Sequence, residues 1–198
     1  TNLDLGGIER VEVLRGAASS LYGNAAGGVI AFMSRTDRDS TPRIHIGIER
    51  LDDQGSRLES HGSLAIGRAR VTVQSSLTKN DGYRDHSATE QRRAQYALAY
   101  QWRPSTTIIA RAAWANDPFA DNPGALTATE SAATPSVSAP NNLLRNAGKA
   151  VRQKQFSLGL DDARGEWTTE VRLWLLTRAL VNPLAAPAPA PNPADEGL

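Results

Sequence analysis

Hydrophobic and polar positions alternate along much of this chain, and the clearest run is Arg92 to Trp102. Ala94, Tyr96, Leu98, Tyr100 and Trp102 share one side, while Arg93, Gln95, Ala97, Ala99 and Gln101 share the other. A period of two marks a strand, because successive side chains of extended backbone point to opposite faces. The same reading predicts six neighbours. Ile44, Ile46 and Ile48 alternate with His45, Gly47 and Glu49; after the turn signal DDQGS, Leu58, Leu64 and Ile66 alternate with Glu59, His61 and Ser63. A third strand runs over Ala69–Lys79, with Val71, Val73 and Leu77 on one side. After RPST, Thr106–Asn116 sets Ile108, Ala110, Ala112 and Trp114 together. Val151–Leu160 does so with Phe156, Leu158 and Leu160, and Trp167–Thr177 with Val171, Leu173 and Leu175.

These segments are about 9 to 12 residues long, the length a tilted strand needs to cross a bilayer and longer than the usual strand. Their connections add a second rhythm. Short turns at Gly67 and Arg68, at Arg103 to Ser105 and at Asp161 to Glu166 alternate with longer links at Lys79 to Gln91, at Asp117 to Ala150 and after Thr177. Trp102 and Trp167 both stand beside short turns, where an interfacial aromatic girdle lies in outer-membrane barrels. The predicted fold is all-β, an antiparallel up-and-down meander forming part of a transmembrane β-barrel.

The opening stretch reads differently. Ile8–Arg15, IERVEVLR, is a strand with Val11 and Val13 on one face and Arg10, Glu12 and Leu14 on the other, stopped at Gly16. Ala17 to Tyr22 suits about one helical turn, closed by Gly23; Gly27 and Gly28 permit a sharp bend before the apolar run Val29 to Met33. A glycine-rich turn can cradle phosphate, but Val29 and Ile30 stand where a phosphate loop needs lysine and a hydroxyl.

The whole run Ile8–Ile30, IERVEVLRGAASSLYGNAAGGVI, resembles the C-terminal part of the plug domain of TonB-dependent outer-membrane receptors. Arg10, Arg15, Gly16, Leu21, Tyr22, Gly23, Gly27 and Gly28 all fall on that motif. Ala17 departs from it, where proline is usual, as do Ala31 to Arg35. The resemblance implies residues 1–36 as the end of a plug, 37–177 as about seven N-terminal strands of a barrel, and 178–198, rich in proline and alanine, as a loop or truncated tail. It implies TonB-dependent transport of a scarce nutrient, a ferric siderophore foremost, across the outer membrane of a Gram-negative bacterium. The implied partners are the TonB–ExbB–ExbD energy-transducing complex, the ligand and outer-membrane lipid, with no cofactor and no enzymatic activity. It also implies that Arg15 pairs with barrel carboxylates that help to hold the plug. Thr1 opens the sequence in mid-domain, so the chain reads as a fragment of a longer receptor.

Composition narrows the alternatives. The 198 residues carry a formal net charge of +1, which gives no reason to invoke nucleic acid. The hydrophobic content of 40% and mean hydropathy of −0.41 suit strands apolar on one face only. There are no cysteines, and no run approaches the roughly 20 apolar residues of a membrane helix.

Catalytic patterns are missing: the three histidines, His45, His61 and His86, form no HExxH, and no serine is coupled to a base. A hairpin folded about Asp53 would set His45 opposite His61, with Glu59 or Glu49 as a third ligand if a metal bound there. Asp161 and Asp162 read as turn formers. The ligand candidates are Tyr83, Arg84 and His86 in the link Lys79–Gln91, an aromatic and cationic set suited to an anionic or aromatic ligand. The rival reading is a surface-displayed β-sandwich that serves adhesion.

Overall fold

The computed structural model describes residues 8–16, 27–34, 41–52 and 54–185. They form two antiparallel sheets. The first is a ribbon of β1 (Ile8–Arg15) and β2 (Gly28–Ser34). The second holds seven strands in sequence order: β3 (Arg43–Leu51), β4 (Gly55–Ile66), β5 (Ala69–Asn80), β6 (Thr89–Arg103), β7 (Thr106–Asp121), β8 (Gly148–Arg164) and β9 (Trp167–Val181). This is the up-and-down meander that the alternation predicts. It is an open sheet of seven strands, a part of a barrel rather than a closed one.

Register shows why the alternation is continuous. Ile44, Gly62, Val73, Tyr96, Ala112, Phe156 and Leu175 are successive cross-strand partners, so they make one row across the sheet. The next row toward the β4–β5 turn is Leu64, Val71, Leu98, Ala110, Leu158 and Leu173, and the one beyond it is Ile66, Ala69, Tyr100, Ile108, Leu160 and Val171. One face is therefore a single apolar field. Its few polar members satisfy one another, as Ser60 and Ser75 do with hydroxyls 2.8 Å apart.

Burial is inverted relative to a water-soluble domain. Among the described residues the buried apolar side chains are Ala115, Ala147 and Val151, all small or at the sheet's end. Ile44 is 85% exposed and Leu98 44%. The buried set is mostly polar: Ser63, Ser76, Glu90, Arg93, Thr106, Asp117, Ser138 and Asn142. An apolar field of this extent, open on one face of a sheet, exceeds what a monomeric water-soluble domain ordinarily exposes.

The strands overrun their sequence-based limits at both ends. β6 starts at Thr89 rather than Arg92, β7 runs to Asp121 rather than Asn116, and β9 to Val181 rather than Thr177. Beyond the apolar field both faces of a strand meet water, so alternation stops while the backbone ladder continues. The same cause moves Asp161 and Asp162. Instead of forming a turn they sit within β8, paired with Thr107 and Thr106, and the turn is Gly165 and Glu166. β7 absorbs Pro118, which has no N–H to donate, through a bulge between Asp117 and Ala120.

Candidate functional site

Two places carry the residues singled out from the sequence, the β1–β2 ribbon and the long-loop end of the seven-stranded sheet. In the ribbon, Arg15 pairs with Gly28 across the open end. Gly28 has φ +129°, and a Cβ there would lie 2.5 Å from the Leu14 carbonyl oxygen, so only glycine closes this step. Gly16, with φ +101°, turns the chain out of β1. A neighbouring Cβ at Gly27 would meet nothing within 4 Å. Arg10 is exposed; its guanidinium lies 2.9 Å from Glu12 and donates to the Met33 sulfur at 3.1 Å. Arg15 is exposed too. Leu21, Tyr22, Gly23 and the expected helical turn Ala17–Tyr22 lie outside the described residues.

Three short turns of the larger sheet sit at one end, and the short β3–β4 turn between Leu51 and Gly55 sits at the other. Gly67 and Arg68 join β4 to β5, Pro104 and Ser105 join β6 to β7, and Gly165 and Glu166 join β8 to β9. Trp102 and Trp167 are exposed on the apolar face at this end, and the Arg103 guanidinium lies over the Trp102 ring at 4.9 Å. The opposite end bears residues 81–88 and 122–147, both shorter than the links read from the sequence because the flanking strands lengthen.

Residues 122–147 are folded. They hold α1 (Ala128–Ala133) and α2 (Pro140–Leu144). Thr127 caps α1 reciprocally with Glu130: the Thr127 N–H donates to the carboxylate at 2.8 Å, and the Glu130 N–H donates to the hydroxyl. The Thr127 N–H foremost, and the Thr127 hydroxyl that donates to the same carboxylate oxygen at 2.8 Å, hold the Glu130 carboxyl below the ordinary range. Pro140 starts α2, where its missing N–H costs nothing.

The ligand candidates separate by geometry. Arg84 donates to the Val137 carbonyl at 2.8 and 3.0 Å, to Gly124 at 2.6 Å and to Pro123 at 3.3 Å. It thereby ties residues 81–88 to residues 122–147. His86 adds a second tie, its Nε2 lying 2.7 Å from the Ala147 carbonyl oxygen and its Nδ1 3.9 Å from Asp121. Tyr83 is exposed. Beneath the loops, on the face opposite the apolar field, Arg93 and Asp117 form a buried ion pair that no sequence pattern indicated. They are 24 residues apart and on neighbouring strands, so only register brings them together.

His45 and His61 are direct cross-strand partners, as the hairpin reading requires. His45 Nε2 lies 3.6 Å from a Glu59 oxygen, while Arg57 holds the other oxygen of Glu59 at 3.1 Å. Among the described residues no group of three or more histidines, cysteines or carboxylates is arranged to hold a metal.

Residues 1–29 match the family model described as the TonB-dependent receptor plug domain. The chain carries a TonB-dependent receptor plug sequence. The match takes in β1 and ends two residues into β2, at Val29. Plug domains serve receptors that move solutes across the outer membrane of Gram-negative bacteria, which points to a transporter rather than an enzyme. No described helix is long and apolar enough to cross a membrane, which says nothing against crossing by strands.

Proposed function

We propose that this chain is part of an outer-membrane receptor that takes up a ferric siderophore or a related scarce chelate, energised by the TonB–ExbB–ExbD complex. The observation that carries the reading is the apolar field: a plug sequence is followed by a sheet that exposes one continuous hydrophobic face, edged by tryptophans at its short-turn end. The other face bears arginines, glutamines, serines and threonines, as a wall around a plug and a water-filled passage would.

In this reading residues 1–36 close a plug, residues 37–177 supply barrel wall, and the plug residues Arg10, Arg15, Gly16, Leu21, Tyr22, Gly23, Gly27 and Gly28 shape its last strands. Arg15, exposed at the end of β1, would pair in this reading with a barrel carboxylate. Tyr83 is the member of the loop set that faces a ligand, because Arg84 and His86 are engaged in holding the loops. Uptake of radiolabelled iron from a panel of ferric siderophores tests the proposal. Deleting the gene, or deleting TonB, should abolish accumulation from one of them. Unchanged accumulation across the panel in both strains would overturn it.

A further inference from the structure

The face opposite the apolar field carries its charges unevenly. Toward the long loops they are paired: Arg57 holds Glu59 at 3.1 Å, and Arg93 holds Asp117. At the short-turn edge Arg172 holds both Asp161 and Glu170. Between these pairs runs a band without a carboxylate. Arg43, Ser63, Thr72, Ala97 and Arg111 are successive cross-strand partners in one row, and Arg70 and Ala99 are partners in the next. Glu49 stands at the far end of β3. Arg111, half-buried, makes no ion pair or hydrogen bond among the described residues. Ser63 is only 6% exposed, and its hydroxyl oxygen has no hydrogen-bond partner among them either. A buried hydroxyl left so is costly unless a group from outside the wall bonds to it. Shape completes the site. Ala97 and Ala99 end at Cβ, so β6 is recessed between Arg70 and Thr72 on β5 and Arg111 on β7. Thr72 and Arg111 stand two strand spacings, about 10 Å, apart.

We infer that this trough binds carboxylate groups of the transported chelate, so that the receptor takes up ferric polycarboxylates of net negative charge rather than neutral or cationic hydroxamates. The inference rests on the uptake reading given above. Arginine and hydroxyl side chains offer donors to a negative group that only accepts, and a guanidinium matches a carboxylate bidentately. One carboxylate on Arg111 and another beside Thr72 and Ser63 answer the width of the trough, which a single small anion does not reach across. A neutral hydroxamate brings no charge to offset Arg111. The trough lies in the half of the strands nearer the β4–β5 and β6–β7 turns, away from the long loops that an arriving ligand meets first, so it acts on passage rather than on capture.

The test uses the full-length receptor in cells and radiolabelled iron supplied as ferric citrate or ferric rhizoferrin, both net-negative polycarboxylates, as the neutral hydroxamate ferrichrome, or as the cationic hydroxamate ferrioxamine B. TonB-dependent accumulation by the wild type is expected from a polycarboxylate and from neither hydroxamate. Arg111→Gln should cut it about tenfold, the worth of one charge-assisted contact, and Arg111→Lys, which keeps the charge, should retain most of it. Ala97→Glu, which sets a carboxylate of the wall itself in the trough, should cut it as Arg111→Gln does. Binding of the polycarboxylate to energy-depleted cells should stay at the wild-type level in all three variants. TonB-dependent accumulation from a hydroxamate, polycarboxylate accumulation by Arg111→Gln equal to that of the wild type, or a loss of binding as large as the loss of accumulation would overturn the inference and leave the uptake reading standing. So would a loss accompanied by new sensitivity to vancomycin, which marks Arg111 as a plug contact. The absence of TonB-dependent accumulation from all four chelates and from a wider siderophore panel would remove the uptake reading and the inference with it.

Discussion

Leu98→Arg beside Ala97→Arg is the most direct test of the sheet's two faces. From Arg92 to Trp102 β6 rises about 33 Å at about 3.3 Å per residue, and a tilt of about 40° reduces this to about 25 Å, the height of the apolar band in outer-membrane barrels. Leu98 stands near the middle of that span, between Val71 and Ala110, and faces outward. An arginine there costs about 2 to 4 kcal/mol, since its guanidinium must either stay in hydrocarbon or draw water and headgroups toward it. Ala97 faces the other way, between Thr72 and Arg111. An arginine there meets water and one like charge across the strand pair, which costs up to about 1 kcal/mol. The difference of about 1 to 4 kcal/mol corresponds to a change of about fivefold or more in the folding equilibrium constant. Heat-modifiable migration on gels, followed by urea titration of the receptor in liposomes, measures it. Equal folding of the two variants, or a greater loss for Ala97→Arg, would refute the assignment of faces.

Three further outcomes are expected. Ser131→Cys, in the exposed α1, should react with an impermeant maleimide on intact cells, whereas Arg164→Cys beside the β8–β9 turn should react only after the outer membrane is opened. Equal labelling would invert or dissolve the topology. Arg84→Ala should leave the barrel folded but free residues 81–88 and 122–147 from one another, since charge-assisted bonds of this kind are worth about 1.5 to 3 kcal/mol each. Hydrogen exchange should then rise at Ala139 and Ala147 with β3–β5 unchanged, and unaltered protection in both loops would show that Arg84 is incidental. Gly28→Ala should cost about 1 to 3 kcal/mol through its φ of +129° and its approach to Leu14, opening the β1–β2 ribbon to limited proteolysis; Gly27→Ala should not, and matching digests would count against the ribbon geometry.

The fold was legible where one face of a strand was apolar and the other polar. β6 shows this best: every residue from Ala94 to Trp102 lies on the face its alternation assigned. Legibility failed where that contrast vanished. Thr89 to Gln91 is polar on both faces, Asp117 to Asp121 is interrupted by Pro118, and Asp161 to Arg164 opens on paired carboxylates, so they read as loop or turn although the ladder runs through them. The sites were less legible, and for a different reason. Arg84 looked like a ligand residue because a cation beside a tyrosine on a loop is chemically suited to one. Its carbonyl partners lie 39 to 53 residues away, and carbonyls carry no sequence signature.

The inverted burial also bears on what holds the sheet together. A domain stabilised by its core would bury its largest apolar side chains, yet Ile44, Ile48, Trp167 and Leu175 are among the most exposed residues here. In the membrane reading proposed above, hydrophobic transfer favours the folded sheet only when lipid is on that face, which would make the bilayer part of the native state rather than its surroundings. The backbone ladder supplies the rest, because in hydrocarbon each unpaired peptide group costs several kcal/mol. The same argument falls hardest on the two edges. β3 and β9 each present an unpartnered side, and β9 is exposed along its whole length on both faces. Peptide groups on those edges can be satisfied at membrane depth only by further strands, so the sheet's own chemistry requires continuation on both sides before lipid can cover its apolar face.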